Sequence, residues 1–306
     1  MLIHDHPNKR FMPSLERAEP VYQDSTAMKC FKTCKRKYFY RMVLGRVPHV
    51  SKYQEVLDFG KAYHKFRELL ETHDPTHAFA YIVDPQRCKL HTPDEKSKFK
   101  YLDRLRLVDT CKFAFEAWKK EKDAGKIKVI GVEQPFNVQL GETDIFISGR
   151  ADQIIEYNGK VYDRDFKTTS KDEFFFTREV DPSDQAIRYI YGLSRLHGQH
   201  IQGVYFEAIL NKNLKTKPKE NISMFTVLSS RVKPQLDQWE KEQIFINDEL
   251  KNCRDKDIWP MQEISCSFCD YAKVCRLTNE NAMVNELKSS YKYSPWDSTK
   301  VEQEEE

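Results

Sequence analysis

Apolar positions recur at helical spacing in the first part of the chain and at strand spacing in its middle. Ala27, Met28, Cys30, Phe31, Cys34, Tyr38 and Phe39 follow Ser25 and Thr26, which suit a helix cap. Phe59, Tyr63, Phe66, Leu69 and Leu70 predict a second helix over 53–70. Leu102, Leu105, Val108, Cys111, Phe115 and Trp118 step by three or four and predict a long amphipathic helix closed by Gly125. Residues 71–96 read as a His- and Pro-containing connection. Residues 1–24, with Pro7, Pro13 and Pro20, read as a partly disordered lead-in.

After Lys126 the period shortens. Strands are predicted over 127–138, 145–157 and 160–167, the last two joined by Asn158-Gly159, a strong hairpin turn. Helical spacing returns over 181–196, followed by strands at 203–210 and 222–228 and a helix at 234–250. The order predicts an α/β chain with a mixed-sheet core, αβββαβ, flanked by helices.

Composition narrows the function classes. The chain has 306 residues, room for one large domain or two small ones, and 40% hydrophobic residues can fill a core. Ten Gly and no G-x-x-x-x-G-K-S/T argue against a phosphate-cradling loop. The polar, His-rich start carries no export signal, and no run of 18 apolar residues occurs, so a cytoplasmic location with no membrane partner is expected. In a reducing compartment, eight Cys serve metal binding, catalysis or packing rather than disulfides. The net charge of +3 is an average, because four Glu crowd the last five residues. A basic body with an acidic tip permits an anionic partner.

Candidate chemistry lies on two neighbouring strands. Gly149-Arg150-Ala151-Asp152 sets Asp152 in mid-strand, and Asp165-Phe166-Lys167 follows on the next. Alternation places Asp165 and Lys167 on one face and Phe166 on the other. The hairpin can bring Asp152 beside Asp165, and such a pair repels unless a cation intervenes. A hard divalent ion would neutralise it, with Lys167 orienting or helping to deprotonate a water. An ordinary strand salt bridge is the competing reading. Asp163 shares the strand face but lacks a Lys two positions on, and Glu133 precedes Pro135 on the first strand; neither is assigned a role.

These residues resemble the PD-(D/E)xK nuclease superfamily, in particular its RecB-like branch. Phe59-Gly60-Lys61-Ala62-Tyr63-His64 resembles that branch's Gly-x-x-x-His helix, and Gln185-Ala186-Ile187-Arg188-Tyr189 its Gln-x-x-x-Tyr helix. The resemblance implies a restriction-endonuclease-like core. It implies metal ligation by His64, Asp152, Asp165 and the Phe166 carbonyl, with Lys167 catalytic and Mg²⁺ or Mn²⁺ as cofactor. It also implies that Gln185 and Tyr189 border the site; a structural hydrogen-bonded pair is the alternative.

Cys266, Cys269 and Cys275 form C-x2-C-x5-C, three thiolates that need a fourth. Cys34-Lys35-Arg36-Lys37-Tyr38 resembles the N-terminal cysteine segment of the iron–sulfur subset of the branch, which includes the nuclease domain of AddB and CRISPR-associated exonucleases. There the usual residue after the Cys is Pro, where this chain has Lys35. The resemblance implies a 4Fe–4S cluster on Cys34, Cys266, Cys269 and Cys275, a clasp joining the N- and C-terminal segments. Zn²⁺ on the same ligands and plain core thiols remain open, with Cys30 as an alternate ligand.

The expected organisation is a lead-in at 1–24, a nuclease domain at 25–280 and an acidic tail at 281–306. The domain would hold a cluster-ligand helix at 25–52, a catalytic core at 127–212 and a cysteine segment at 262–280. The expected function is a metal-dependent deoxyribonuclease, an exonuclease or one preferring single strands and ends. A catalytically idle DNA-binding or assembly subunit, and a zinc-clasped RNA endonuclease, are the alternatives. DNA is the expected partner, with a helicase or recombination subunit as a further one. Basic residues 29–41 and Lys212, Lys215, Lys217 and Lys219 are candidate DNA contacts. Tyr38, Phe39 and Tyr40 could stack on bases, but their spacing favours packing.

Overall fold

The structure is a computed structural model and describes residues 11–18, 23–49, 54–84, 88, 99–211 and 222–297. Lys212, Lys215, Lys217 and Lys219 lie outside the described residues. In chain order the elements begin with α1 (Ser25–Thr33), α2 (Lys35–Tyr38), a π-helical turn (Phe39–Val43) and β1 (Arg46–Pro48). Then come α3 (Gln54–Thr72), α4 (Pro75–Val83) and α5 (Phe99–Ala124). The central run is β2 (Ile127–Gln139), β3 (Phe146–Tyr157), β4 (Lys160–Thr169), α6 (Glu173–Val180), α7 (Asp184–His197), β5 (Val204–Asn211) and β6 (Ile222–Ser229). The chain ends through α8 (Lys233–Lys256), a 3-10 turn (Glu263–Phe268), α9 (Ala272–Cys275), α10 (Glu280–Ser290) and β7 (Tyr291–Tyr293). Among the described residues no helix is long and apolar enough to cross a membrane.

The chain forms two compact units. One comprises 1–52, 139–148 and 237–300; the other comprises 53–138, 149–236 and 301–306. In the first, consecutive aromatics are core. Tyr38, Phe39 and Tyr40 are fully buried, and the Tyr38 and Phe39 rings stack on Trp259 at 6.1 and 5.2 Å. They are therefore packing residues, as their spacing favours, and not a surface for bases. Of the basic residues on this stretch, Lys35 pairs with Glu249, Arg36 donates to the Trp259 carbonyl at 2.7 Å and Arg41 to the Ser294 carbonyl at 3.2 Å. These are internal ties, which leaves less of the helix for DNA than its composition implies.

Described residues toward both ends of this unit join its packing. Met12, Leu15 and Ala18, in the expected lead-in, are buried, and Arg17 pairs with Asp257 at 2.8 Å. In the expected acidic tail, Leu287 and Tyr291 are buried and β7 pairs antiparallel with β1, Arg46 opposite Tyr293.

The second unit holds a five-stranded mixed sheet in the order β2-β3-β4-β5-β6. β3 and β4 are antiparallel, β4 and β5 parallel, β5 and β6 antiparallel. The parallel step requires a crossover, supplied by α6 and α7. One cluster of buried residues joins Ala151, Ile154, Phe206 and Ala208 to Ala186, Tyr189, Ile190 and Leu193 of α7. Another joins Phe166 and Ile209 to Tyr63, Phe66 and Leu70 of α3 and to Leu107, Cys111 and Ala114 of α5. Cys111 is thus packing.

Phe136 fixes the spacing between sheet and α7. A Cβ on Gly149 would lie 2.4 Å from its ring, and one on Gly192 would also lie 2.4 Å from it. Neither distance is sterically tolerable, so both positions need glycine for close approach. Tyr189 packs edge-on against the same ring at 5.5 Å.

Candidate active site

The side chains singled out in the sequence converge in the second unit. The paired register of β3 and β4 reaches only as far as Gln153 opposite Arg164. Beyond it the Phe166 N–H donates to Asp152 Oδ2 at 2.8 Å, so a carboxylate takes a main-chain donor of β4. The same oxygen lies 3.0 Å from His64 Nδ1 of α3. On the α7 side, Gln185 Nε2 donates to Asp165 Oδ1 at 2.6 Å, and Lys167 is ion-paired with Asp165 Oδ2. Tyr189, one turn after Gln185, is hydrogen-bonded to it. The Gln185–Tyr189 pair is therefore a hydrogen-bonded pair that also borders the carboxylates.

Burial sets the charge states. It works against ionisation of Asp152, but His64, Lys167 and the Phe166 N–H overcome it and hold the carboxyl below its ordinary value. Burial and the charge of Asp152 push Asp165 up, against the pull of Lys167. Burial would discharge Lys167 and His64, yet the carboxylates reverse this and raise both, Lys167 through Asp165 and Asp152, His64 through Asp152. Tyr189 is raised well above the usual phenol value by burial and by the aspartates, so it remains a neutral phenol.

Two acids left unassigned by sequence belong to this neighbourhood. Asp163 is fully buried, and neither carboxyl oxygen has a hydrogen-bond partner among the described residues. Burial, Asp165 and Asp152 push it well above the carboxylate range. Glu133 adopts φ 48°, a left-handed conformation uncommon outside glycine, and pairs with Arg150 Nε at 2.8 Å. Burial, then Asp152, pushes it up to about 7. Asp163 carries a sequence signal, an acid two residues before the motif acid on the same strand face. The conformation of Glu133 has none.

The donor chemistry suits a hard divalent ion: the half-buried Asp152, the buried Asp165, an imidazole and an orphaned third carboxyl. Their present counter-charges are Lys167 and His64. Among the described residues, no group of three or more His, Cys, Asp or Glu side chains stands arranged to hold an ion. The Phe166 main chain meets Asp152 through its N–H, whereas the resemblance implied a role for its carbonyl.

The cysteines belong to the first unit. Cys34 is buried after α1, Cys266 and Cys269 lie at the 3-10 turn, and Cys275 ends α9. Cys269 is electrostatically coupled to both Cys34 and Cys266, and Cys275 to Cys269 and Cys34. Burial raises Cys269 and Cys275, while Lys37 acts on the first and Arg36 on the second in the opposite sense. Cys30 is pushed up to about 12, chiefly by burial. The segment that carries Cys34 is tied to the approach to Cys266 by the Arg36 N–H, which donates to the Pro260 carbonyl at 3.0 Å.

No curated protein sequence matches the chain. A crystal structure from Eubacterium rectale named "Putative exonuclease" is similar over 84% of this chain and 89% of its own, at 10% identity with a TM-score of 0.52, which is a likeness of fold. The structure of SSO0001 aligns with 64% of this chain and 84% of its own, at 16% identity; its TM-score of 0.27 carries no argument. The family description "PD-(D/E)XK nuclease superfamily" matches residues 25–276, most of the sequence and both units. With the paired aspartates and the D-x-K lysine gathered on adjacent strands, the chain belongs to the PD-(D/E)XK nuclease superfamily.

Proposed function

We propose that the protein is a deoxyribonuclease that uses Mg²⁺ or Mn²⁺ and acts on single strands or duplex ends, as an exonuclease. The observation that carries this reading is the pair Asp152, half-buried, and Asp165, buried, with Lys167 and His64 as their cations. Asp152 and Asp165 would hold the ion, with His64 and the Phe166 carbonyl as further ligands. When bound, a divalent ion supplies Lewis-acid polarisation of a phosphate oxygen and a water nucleophile at neutral pH.

The chain's own groups have separable tasks. The Phe166 N–H orients Asp152 and the Gln185 amide orients Asp165. Lys167, raised by the aspartates, stays an ammonium at neutral pH. In that state it can orient the attacking water or donate to a phosphate oxygen. Tyr189 stays a phenol and steadies Gln185. Cleavage of end-labelled DNA in Mg²⁺ or Mn²⁺ tests the reading. Lys167→Ala is expected to reduce the rate at least about a hundredfold, the scale of losing a positioned charge donor. Equal rates would remove Lys167 from the site. No cleavage by the native protein would favour a second reading, an idle DNA-binding or assembly subunit. That reading is supported by the pairing of both aspartates with side-chain cations.

For the first unit, the reading is a 4Fe–4S cluster on Cys34, Cys266, Cys269 and Cys275, with Zn²⁺ as the alternative occupant. The closeness of these thiols to one another, with Arg36 and Lys37 nearby, supports a shared site; burial keeps Cys269 and Cys275 as thiols until a bound metal displaces their protons. A brown anaerobic preparation with absorbance near roughly 400 nm, typical of thiolate-bound iron, is the expected result. A colourless protein holding stoichiometric zinc would replace the cluster with zinc. Unwinding of duplex DNA would fall to a partner such as a helicase or recombination subunit.

A further inference from the structure

Three consecutive phenylalanines follow the D-x-K strand, and the structure divides them. Phe176 is buried and packs edge-on against Phe225 at 5.4 Å, which anchors α6 to the sheet. Phe174 and Phe175 are 63% and 61% exposed. Their rings meet edge-on at 5.4 Å, and the Arg178 guanidinium lies over Phe174 at 5.3 Å. Exposing two adjacent aromatics forgoes their burial, so the pair calls for a partner.

The anchor of the pair lies on the row of the sheet that carries the candidate lysine: Phe176 packs on Phe225, which stands opposite Ala208, itself opposite Lys167. α6 starts four residues after β4 ends at Thr169, with Asp172 capping it through the Phe175 N–H at 3.1 Å. Phe174 is seven residues from Lys167, at most about 25 Å along an extended chain. The same end of β4 is approached by α3, where a Cβ on Gly60 would lie 3.6 Å from Thr168 Oγ1. One turn earlier on α3, Val56 and Leu57 are also exposed, at 68% and 55%. Exposed apolar side chains thus belong to two elements, α6 and α3, that follow or approach the strand carrying Asp165 and Lys167.

We propose that Phe174 and Phe175 form a stacking platform for unpaired bases of a nucleic-acid strand entering the Asp152–Asp165 site. The proposal rests on the nuclease reading of that site and supplies its preference for single strands. Stacking suits the local charge better than phosphate binding does, because α6 and its cap carry Asp172, Glu173 and Glu179 beside Arg178. Every base offers a π-face, so recognition by the pair is tolerant of sequence. A base paired within a duplex cannot open onto the rings, so a duplex must present a frayed or overhanging end.

The test reads binding without turnover. A short single-stranded oligodeoxynucleotide carrying 2-aminopurine is titrated with the full chain in Ca²⁺, following anisotropy and 2-aminopurine quenching. F174A/F175A is expected to bind about tenfold more weakly or worse, the scale of one lost base–aromatic stack, and to lose the quenching. The deficit should be the same at low and moderate salt, unlike that of a lost phosphate contact. F174L/F175L, which keeps apolar contact and removes the rings, should behave like the double alanine variant. Unchanged affinity and quenching in either variant would overturn the platform. So would phenylalanine-dependent self-association by a native protein that does not bind the oligonucleotide. Binding and quenching without cleavage would instead remove the nuclease reading and leave the platform standing.

Discussion

The two faces of β4 treat buried charge in opposite ways. On one, Arg164 forms a bidentate pair with Glu121 at 2.8 and 2.6 Å and also bonds Glu207, which in turn holds Arg67. Two guanidinium groups meet two carboxylates there, and Arg67 lies 4.1 Å over the Phe166 ring. On the other, Asp163 and Asp165 alternate with them and join Asp152, against Lys167 and His64. Burial opposes ionisation of Glu207, but its two arginines prevail and hold it below its ordinary value; Asp163 and Asp165 are driven upward. The balanced face is architecture. The unbalanced face has surplus negative charge, which a cation or a proton must meet, and that is where chemistry is expected.

The comparison breaks first at Glu207. Glu207→Ala leaves Arg67 and Arg164 buried without their shared carboxylate and should cost about 3–5 kcal/mol in urea unfolding. A cost under about 1 kcal/mol would mean the network is not structural. Asp163→Asn should act in the opposite direction. Replacing an unpartnered buried acid with a neutral amide is expected to stabilise the protein by about 1–3 kcal/mol at pH 7 without added metal. Destabilisation there would show that Asp163 is compensated.

A smaller effect sharpens the contrast through pH. Glu133 titrates in the folded protein at about 7, above its ordinary 4.5. The folded state therefore holds this proton more tightly than the unfolded chain. Its contribution to stability is full below about pH 4.5 and is lost as pH rises through 7. With its side chain 24% exposed, the loss should be about 1–3 kcal/mol. Glu133→Gln should abolish that part of the pH dependence in EDTA, and an unchanged profile would place the titration elsewhere. The smallest effect is expected at Lys171–Glu179, an ion pair exposed on both sides. Lys171→Ala should change stability by less than about 0.5 kcal/mol, and a larger change would give the surface pair a role in holding α6.

Much of the sheet was legible because its strands alternate and its hairpin turn is explicit. β2, β4, β5 and β6 lie within two residues of their predicted limits. The short helices were not. α4 hides in the His/Pro connection, although Asp74 accepts from the Thr76 N–H and Pro75 occupies the first turn, a local start signal. α6 has only eight residues, and its run of three Phe obscures any helical period. Within the proposed site, motif spacing singled out Asp152, Asp165, Lys167, His64 and Gln185, side chains that the fold brings together. Spacing does not show whether an acid has partners, so it passed over Asp163. Nor does it show a backbone conformation, so it passed over Glu133.

The Phe136 ring between Gly149 and Gly192 has a further consequence. It acts as a shim one ring thick between strand and helix, and it cannot be thickened on either side. The reach of the Gln185 amide to Asp165 is therefore set inside the core, by the girth of an aromatic ring, before any group at the site is chosen. Altering that thickness would detune the site while leaving each of its reactive side chains in place.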